Sequence, residues 1–527
     1  MRKTFIIISI TILAITAILS YINWKFLILL IIFIPLIIMG LNDMYQSKKT
    51  IRRNFPLLGR MRYLLESLGP EIRQYFVETD LDGKPFNRLQ RALVYSRSKK
   101  ETSTQPFGTQ LNVYDVGYEW INHSINAIPF AESNHNPKVK IGSSQCSKPY
   151  DASMFNISAM SFGSLSKNAI LALNTGAKQG GFFHNTGEGG LSPYHLEPGG
   201  DVVWNIGTGY FSTRTPDGKF SLDEFKKRAT LDNVKMIEIK FSQGAKPGHG
   251  GILPKEKVTD EIAAIRLVQK GNDIVSPPKH SAFTNPLELM EFVKLLRENS
   301  GGKPIGIKIC IGNKSEFISI CKAMVQTQTY LDFITVDGGE GGTGAAPPEY
   351  ADHVGMPLRD ALAFVYDCLN GFGIKDQIKI IASGKVISGF DIIRCLSIGA
   401  DVCNSARGMM FALGCIQALE CHSNTCPTGV ATQDKTLMKG LVPQEKSVRV
   451  ARYQSETVKS AMELMASAGL KHPDEVTRDI VSTRVERNQT ETFAQTFPEL
   501  ETRCLLNENK VPKEFLYFWK TASAEKF

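Results

Sequence analysis

Cysteine is scarce in this chain, with ten residues in 527, far below the density of a disulfide-stapled scaffold. Most lie in apolar stretches such as IGIKIC and DVCNS. That fits a reducing compartment and makes any thiol cluster a candidate for metal rather than disulfide chemistry. Low-complexity tracts are missing, as is any repeat with a period of about 20–50 residues. A Gly-rich βαβ fingerprint for a dinucleotide is missing too, so electrons are expected from outside the chain. Basic excess is absent from most of the sequence. The net charge is +9, but residues 48–100 hold 13 Lys/Arg against 5 Asp/Glu, and the remainder is nearly neutral. This argues against a nucleic-acid partner and for a basic collar beside an anionic membrane leaflet.

What is present begins with two apolar runs, FIIISITILAITAILS (5–20) and FLILLIIFIPLIIMGL (26–41). Each is slightly shorter than the roughly 20 residues of an unaided span. Tyr21 and Trp24 between them suit an interface, and Lys25 can snorkel. Arg2 and Lys3 precede the pair, and Lys48, Lys49, Arg52 and Arg53 follow it. Positive outer flanks predict a two-pass transmembrane hairpin over 1–47, with membrane lipid as partner and the catalytic domain cytoplasmic. A signal peptide is the rival reading. A second apolar run and the lack of a clear cleavage site count against it. Residues 48–150 read as a basic helical connector.

Beyond residue 151 short β-like runs alternate with helical ones. The strands expected are 155–160, 182–186, 235–241, 273–277, 304–310, 332–337, 379–383 and 401–405. Eight strands at this spacing predict an α/β fold, a (β/α)8 TIM barrel over 151–470, with a doubly wound sheet as the alternative. Residues 471–527 are expected as a helical and polar tail. The strand ends carry the polar, glycine-rich stretches SAMSFGS, NTGEGG, SQGAKPGHGG, DGGEGGTGAAP, ASGKVISG and SARG, which a barrel gathers on one catalytic face.

Loops after the last two strands of such a barrel commonly bind phosphate. Here they supply Ser383 and Gly384, then Arg407 and Gly408, the arginine being suited to phosphate. The loop at 414–433, GCIQALECHSNTCPTGVATQ, holds Cys415, Cys421 and Cys426. On spacing alone these thiols fit an iron–sulfur cluster, a zinc site completed by His422, or ordinary packing at a helix–loop junction. Cys403 or Cys395 is a candidate fourth ligand.

SAMSFGSLS, NTGEGG, QGAKPGHGG, GGTGAAP and the cysteine loop, in that order, together resemble the FMN-binding synthase domain of glutamate synthase. The resemblance covers about 150–470. It implies FMN and a cluster, 3Fe-4S, on Cys415, Cys421 and Cys426. It implies cofactor contacts from Ala159, Met160, Ser161, Gly341, Gly342, Ser383, Gly384, Arg407 and Gly408. Lys308 would place a cation near the flavin ring. Gln243, Lys246 and Arg266 would hold 2-oxoglutarate, two cations suiting two carboxylates. Glu188 would handle ammonia and its protons. Alone, each residue also has an ordinary reading as a turn, a salt bridge or a solvated charge. The implied reaction is reductive amination of 2-oxoglutarate to L-glutamate by reduced FMN, with electrons arriving through the cluster.

The sequence carries no counterpart of the family's glutaminase or C-terminal β-helical domain. A separate electron donor, ferredoxin or a reductase, and a separate glutaminase subunit or free ammonia are therefore expected. His249 stands where the family usually has glutamate, and SPPKHSAF departs from the family pattern. These departures motivate a second reading, a dehydrogenase of another amino or hydroxy acid coupled to quinone. A non-catalytic membrane scaffold is the third.

Overall fold

The computed structural model describes residues 1–101 and 104–527. The chain divides into two units, 1–89 and 90–527.

The first unit is helical. Helices α1 (Arg2–Ile22) and α2 (Ile28–Tyr45) are joined by a 3₁₀ turn at Trp24–Leu27. Both are long and apolar enough to cross a membrane, by length and composition alone. A short helix at Thr50–Asn54 leads to α3 (Leu58–Ile72). The last turn of α2 carries Asp43, fully buried, which accepts from Arg52 Nε at 2.8 Å and Arg60 Nε at 2.7 Å. Two guanidiniums on one carboxylate fix the chain's direction as it leaves α2.

The second unit is built on a closed barrel of eight parallel strands: β1 (Phe155–Ile157), β2 (His184–Asn185), β3 (Val202–Ile206), β4 (Val234–Lys240), β5 (Ile305–Ile309), β6 (Phe333–Asp337), β7 (Lys379–Ser383) and β8 (Val402–Ser405). β8 closes on β1, with Cys403 opposite Phe155 and Ser405 opposite Ile157. Runs such as IGIKI, FITVD and KIIAS are buried almost throughout, as parallel strands covered on both faces must be. Several of the helices between them start on polar caps. Ser166 caps Lys167–Gly180, Asn285 with Pro286 opens Pro286–Asn299, and Ser388 with Asp391 makes a capping box.

Two expectations are corrected here. Residues 273–277 are not a barrel strand. Ile274–Val275 pairs antiparallel with Ile252–Leu253 in an excursion after β4. The barrel's place for that strand is filled through Val202–Ile206, which follows β2 after only a four-residue helix, Pro193–Leu196. The missing long crossover helix is why alternation did not reveal β3. The ends of the chain also differ from helical expectation. Glu119–Ile121 joins a hairpin of Val481–Glu486 and Gln489–Thr492 in an antiparallel sheet. The tail also holds a helix at Lys513–Thr521.

A hairpin of Lys138–Ile141 and Tyr150–Ser153 precedes β1. Its Ile141 and Ala152 pack with Phe183, Val203, Met236, Phe333, Ile381 and Val402. These barrel residues lie at or near the N-terminal halves of their strands, so that end is plugged by apolar side chains. Each large one contributes about 1.5–3 kcal/mol by leaving water. The opposite end is left to polar groups.

Candidate active site

Polar side chains begin inside the barrel, above the apolar plug. Glu238 on β4 is almost fully buried. It accepts from Asn185 on β2 at 2.8 Å, Asn205 on β3 at 2.5 Å and Thr335 on β6 at 2.6 Å. Asn205 spends its amide on Glu238, leaving Oδ1 a buried acceptor with no partner, and the residue lines the cleft above. On β5, Lys308 lies 3.1 Å from Asp337 at the end of β6. Burial works against its charge, but Asp337, with Glu238 and Glu188 behind it, prevails and holds Lys308 above its ordinary pKa.

The cleft opens at the C-terminal ends of the strands, with a cavity volume of about 130 Å3. Its cations are Lys240, Lys246, Lys257, Lys308 and Arg407, and its wall carries one carboxylate, Glu188. Glu188 Oε2 lies 2.9 Å from Lys240 Nζ. Burial pushes its carboxyl up. Lys240 first, then Lys246 and Arg266, more than offset this and hold it below its usual range. Glu188 is thus an anion at neutral pH, able to accept a proton. Lys246 is buried and donates to the Ala345 carbonyl at 2.8 Å. Burial lowers its pKa, Glu188 opposing and Lys240 adding to the effect. A cleft so rich in cations suits a ligand with more than one negative charge.

Glycines let the loops come close. Gly187 has φ +63°, and a Cβ there would sit 2.8 Å from the Ser161 amide nitrogen. The loop after β2 can therefore lie directly on the loop after β1.

The cysteine loop forms one side of the cleft through Cys421, His422 and Ala431. Lys257 Nζ donates to the carbonyls of Cys421 at 2.7 Å, Ala431 at 2.8 Å and Ser164 at 3.2 Å. Ser166 Oγ donates to Gly429, and Gln433 Nε2 donates to Gly163 and Leu165. The loop after β8 is thus stitched to the loop after β1. Arg407 Nη2 donates to the Thr343 carbonyl, and Nη1 lies 3.7 Å from Cys421 Sγ. Burial pushes the Cys415 thiol up to about 11. Cys426 is also raised by burial, but Thr428 and nearby backbone amides outweigh this, and its net pKa is lowered. Among the described residues, no group of three His, Cys, Asp or Glu side chains is arranged to hold a metal ion.

A family defined by a conserved region in glutamate synthase matches residues 99–471. The chain belongs to the glutamate synthase family. The glutamate synthase large subunit-like protein YerD of Bacillus subtilis (strain 168) is 38% identical over 497 residues, 86% of this chain and 94% of that protein. An archaeal glutamate synthase (NADPH) of Methanocaldococcus jannaschii is 37% identical over 315 residues, 60% of this chain. The chain spans 58% of that archaeal protein's length. Among solved structures, mandelate oxidase with benzoyl-formic acid matches at a TM-score of 0.42 with 14% identity, over 71% of this chain and 86% of that one.

Within this glutamate synthase family chain, the structure gathers many of the residues singled out from sequence. Ala159, Met160, Ser161, Glu188, Gln243, Lys246, Lys308, Gly342, Arg407 and Cys421 line one cleft. Others fall outside that lining. Arg266 is buried behind it, donating to the Phe162 carbonyl at 3.3 Å with its guanidinium over the Phe211 ring. Burial lowers its pKa to about 10 against the pull of Glu188. Gly341 supports the lining loop from behind, its amide donating to the Gly338 carbonyl. Ser383 at the end of β7 bonds Ser158, and Gly384 follows it. Gly408 packs beneath Tyr453. Cys415 and Cys426 are buried in the loop that Cys421 presents. Cys395 and Cys403 are free thiols buried in the core, where Cys395 and burial hold the Cys403 thiol well above its ordinary pKa. His249 bonds its neighbour's carbonyl, Gly250, and faces the Tyr350 ring.

Lys240, Asn205, Lys257 and Asp337 were not singled out from sequence. Lys240 and Asp337 each end a barrel strand, and that position was the available signal.

The residues present fit a flavin with its phosphate. Glycine-rich backbone at Gly342 and Gly344 and the cation Arg407 share one wall, Lys308 rises from the barrel interior, and the Asn205 acceptor is unpaired.

Proposed function

We propose that this chain catalyses reductive amination of 2-oxoglutarate to L-glutamate, using FMN. The observation that carries this reading is the cleft itself: cations on several strand ends around one ionised carboxylate, Glu188. Lys246 and Lys240 would hold the substrate carboxylates by charge-assisted hydrogen bonds, with Gln243 orienting the keto acid. Glu188, held ionised by Lys240, would bind the incoming ammonium by a charge-assisted hydrogen bond, and ammonia, its proton given to solvent water, would attack the keto carbon. Water then leaves, giving an imine. Bound FMN would supply the two electrons that reduce the C=N bond. Lys308 would stabilise negative charge on the reduced ring from within the barrel. Arg407 and the glycine backbone nearby would hold its phosphate.

Cys415, Cys421 and Cys426 would be the ligands of a 3Fe-4S cluster, which would supply one-electron transfer at the edge of the cleft. Their spacing of six and five residues, and the contact of Arg407 with Cys421, support this. A separate ferredoxin or reductase would supply the electrons. Nitrogen would come as free ammonia or from a separate glutaminase. Helices α1 and α2 would anchor the chain as a membrane hairpin, with the barrel in the cytoplasm.

The test is anaerobic. Purified protein is reduced with dithionite, excess reductant is removed, and 2-oxoglutarate with ammonium is added. Reoxidation of the flavin with matching glutamate supports the reading. A flavin that stays reduced with this pair, but is reoxidised by quinone, favours the second reading. That reading is a dehydrogenase of another amino or hydroxy acid feeding quinone, motivated by His249 and the altered SPPKHSAF loop.

A further inference from the structure

Helix α3 presents an apolar stripe to solvent. Leu58, Met61, Leu65, Leu68 and Ile72 are 64%, 59%, 54%, 45% and 42% exposed. They recur at i, i+3, i+7, i+10 and i+14, one face of an α-helix. Arg62 and Glu66 lie off that face. The stripe runs the length of the helix, about 22 Å at 1.5 Å per residue. A continuous exposed row of this kind marks an interaction surface rather than scattered surface leucines.

Two further features say what covers it. Residues 46–57, with the short helix Thr50–Asn54, separate α3 from α2, and Asp43 fixes where it starts. Its carboxylate takes Arg52, Arg60 and the Leu57 amide together. Gly59 lets the turn close tightly, for a Cβ there would lie 2.8 Å from the Arg52 Cα. The N-terminus of α3 is thereby clamped to the C-terminal end of α2, the place where a span would leave the hydrocarbon. Charge is the second feature. Residues 48–77 carry seven Lys/Arg against two Glu, which suits an anionic headgroup layer.

We propose that α3 lies flat in the membrane interface, with its apolar stripe in the acyl boundary and Arg62, with the flanking Lys48, Lys49, Arg53 and Arg73, at anionic headgroups. This rests on the reading of α1 and α2 as a membrane hairpin. The Asp43 clamp would set the depth of the helix. A surface helix of this type buries its apolar face about 5–10 Å into the headgroup boundary. It would add a second, lipid-sensitive attachment beyond the spans.

The test uses the full chain in bilayers of phosphatidylglycerol and phosphatidylcholine with brominated acyl chains, which quench tryptophan on contact. Leu65→Trp and Glu66→Trp each add one reporter at an exposed position, so folding is unaffected by design. Trp24→Phe isolates the signal of the hairpin's own tryptophan. Loss of most added emission in Leu65→Trp, with emission retained in Glu66→Trp, is the expected result. If Trp24 is quenched and the position-65 reporter is not, α3 stands clear of the bilayer and the proposal is overturned while the hairpin survives. If Trp24 is also unquenched, the hairpin reading fails and takes this proposal with it. In pure phosphatidylcholine, quenching at position 65 should recede while Trp24 is unchanged. Equal quenching in both lipids would overturn the role of anionic headgroups.

Discussion

Lys240 Nζ and Glu188 Oε2 lie 2.9 Å apart at the mouth of the barrel, one at the end of β4 and the other in the loop after β2. The pair sets the protonation state of the cleft's carboxylate. Replacing Lys240 with Met removes the largest influence holding the Glu188 carboxyl low. Breaking a buried pair this way costs roughly 3–5 kcal/mol. Chemical denaturation of Lys240→Met should show that loss, and Lys240→Met/Glu188→Gln should recover much of it.

The same pair predicts a pH dependence. The folded Glu188 pKa is below its ordinary 4.5. Its stabilising contribution is therefore present above that value and is lost as pH falls through the lower folded value. Denaturation between neutral and acid pH should show a stability decline in the wild type that Glu188→Gln reduces. An identical decline in both would assign acid sensitivity elsewhere.

Lys308 behaves with the opposite sign. Its folded pKa is above 10.5, so its contribution is complete below that value and lost as pH rises through the higher one. Lys308→Met should leave Asp337 buried without its cation. We expect weaker FMN binding and a lower flavin reduction potential, read by spectroelectrochemistry.

Lys246 and Arg266 should separate. Lys246 faces the cleft and Arg266 lies behind it. Lys246→Ala should weaken 2-oxoglutarate binding about tenfold or more, by losing a charge-assisted hydrogen bond, with flavin content unchanged. Arg266→Ala should chiefly lower thermal stability. Calorimetric titration and a melting curve on both variants distinguish them, and equal binding loss without destabilisation of Arg266→Ala would place it in contact with substrate.

Lys257→Met should loosen the cysteine loop. Three carbonyls lose one ammonium donor, at a cost of roughly 2–3 kcal/mol. If the loop holds the proposed cluster, iron retained after anaerobic reconstitution should fall while the flavin spectrum persists. Lys257→Arg should rescue part of the loss.

Sequence patterning made the barrel legible because seven of its strands are bounded by helices or glycine-rich turns of ordinary length. It failed at Val202–Ile206, where Pro193–Leu196 replaces a full crossover helix, and at Ile274–Val275, a β-like dipeptide paired outside the barrel. The site was legible where a motif sits at a strand end, as with Ser161, Glu188 and Lys308. Arg266 shows the limit. A helix charge twenty residues from Lys246 reads the same whether it reaches the ligand or props the loop behind it. Lys257 was hidden for the related reason that its partners are backbone carbonyls, which leave no mark in composition.

The stitching of the last barrel loop to the first has a consequence for how the protein is made. Polypeptides leave the ribosome N-terminus first. β8 must pair with β1, and Gln433 must reach Gly163 and Leu165, before the cleft has all its walls. A nascent chain shorter than residue 433 therefore has no complete pocket, however many strands it has folded. Helices α1 and α2 are synthesised first. If they insert as they emerge, the barrel closes on a polypeptide already tethered, and cofactor loading becomes an event at the membrane surface, late in translation.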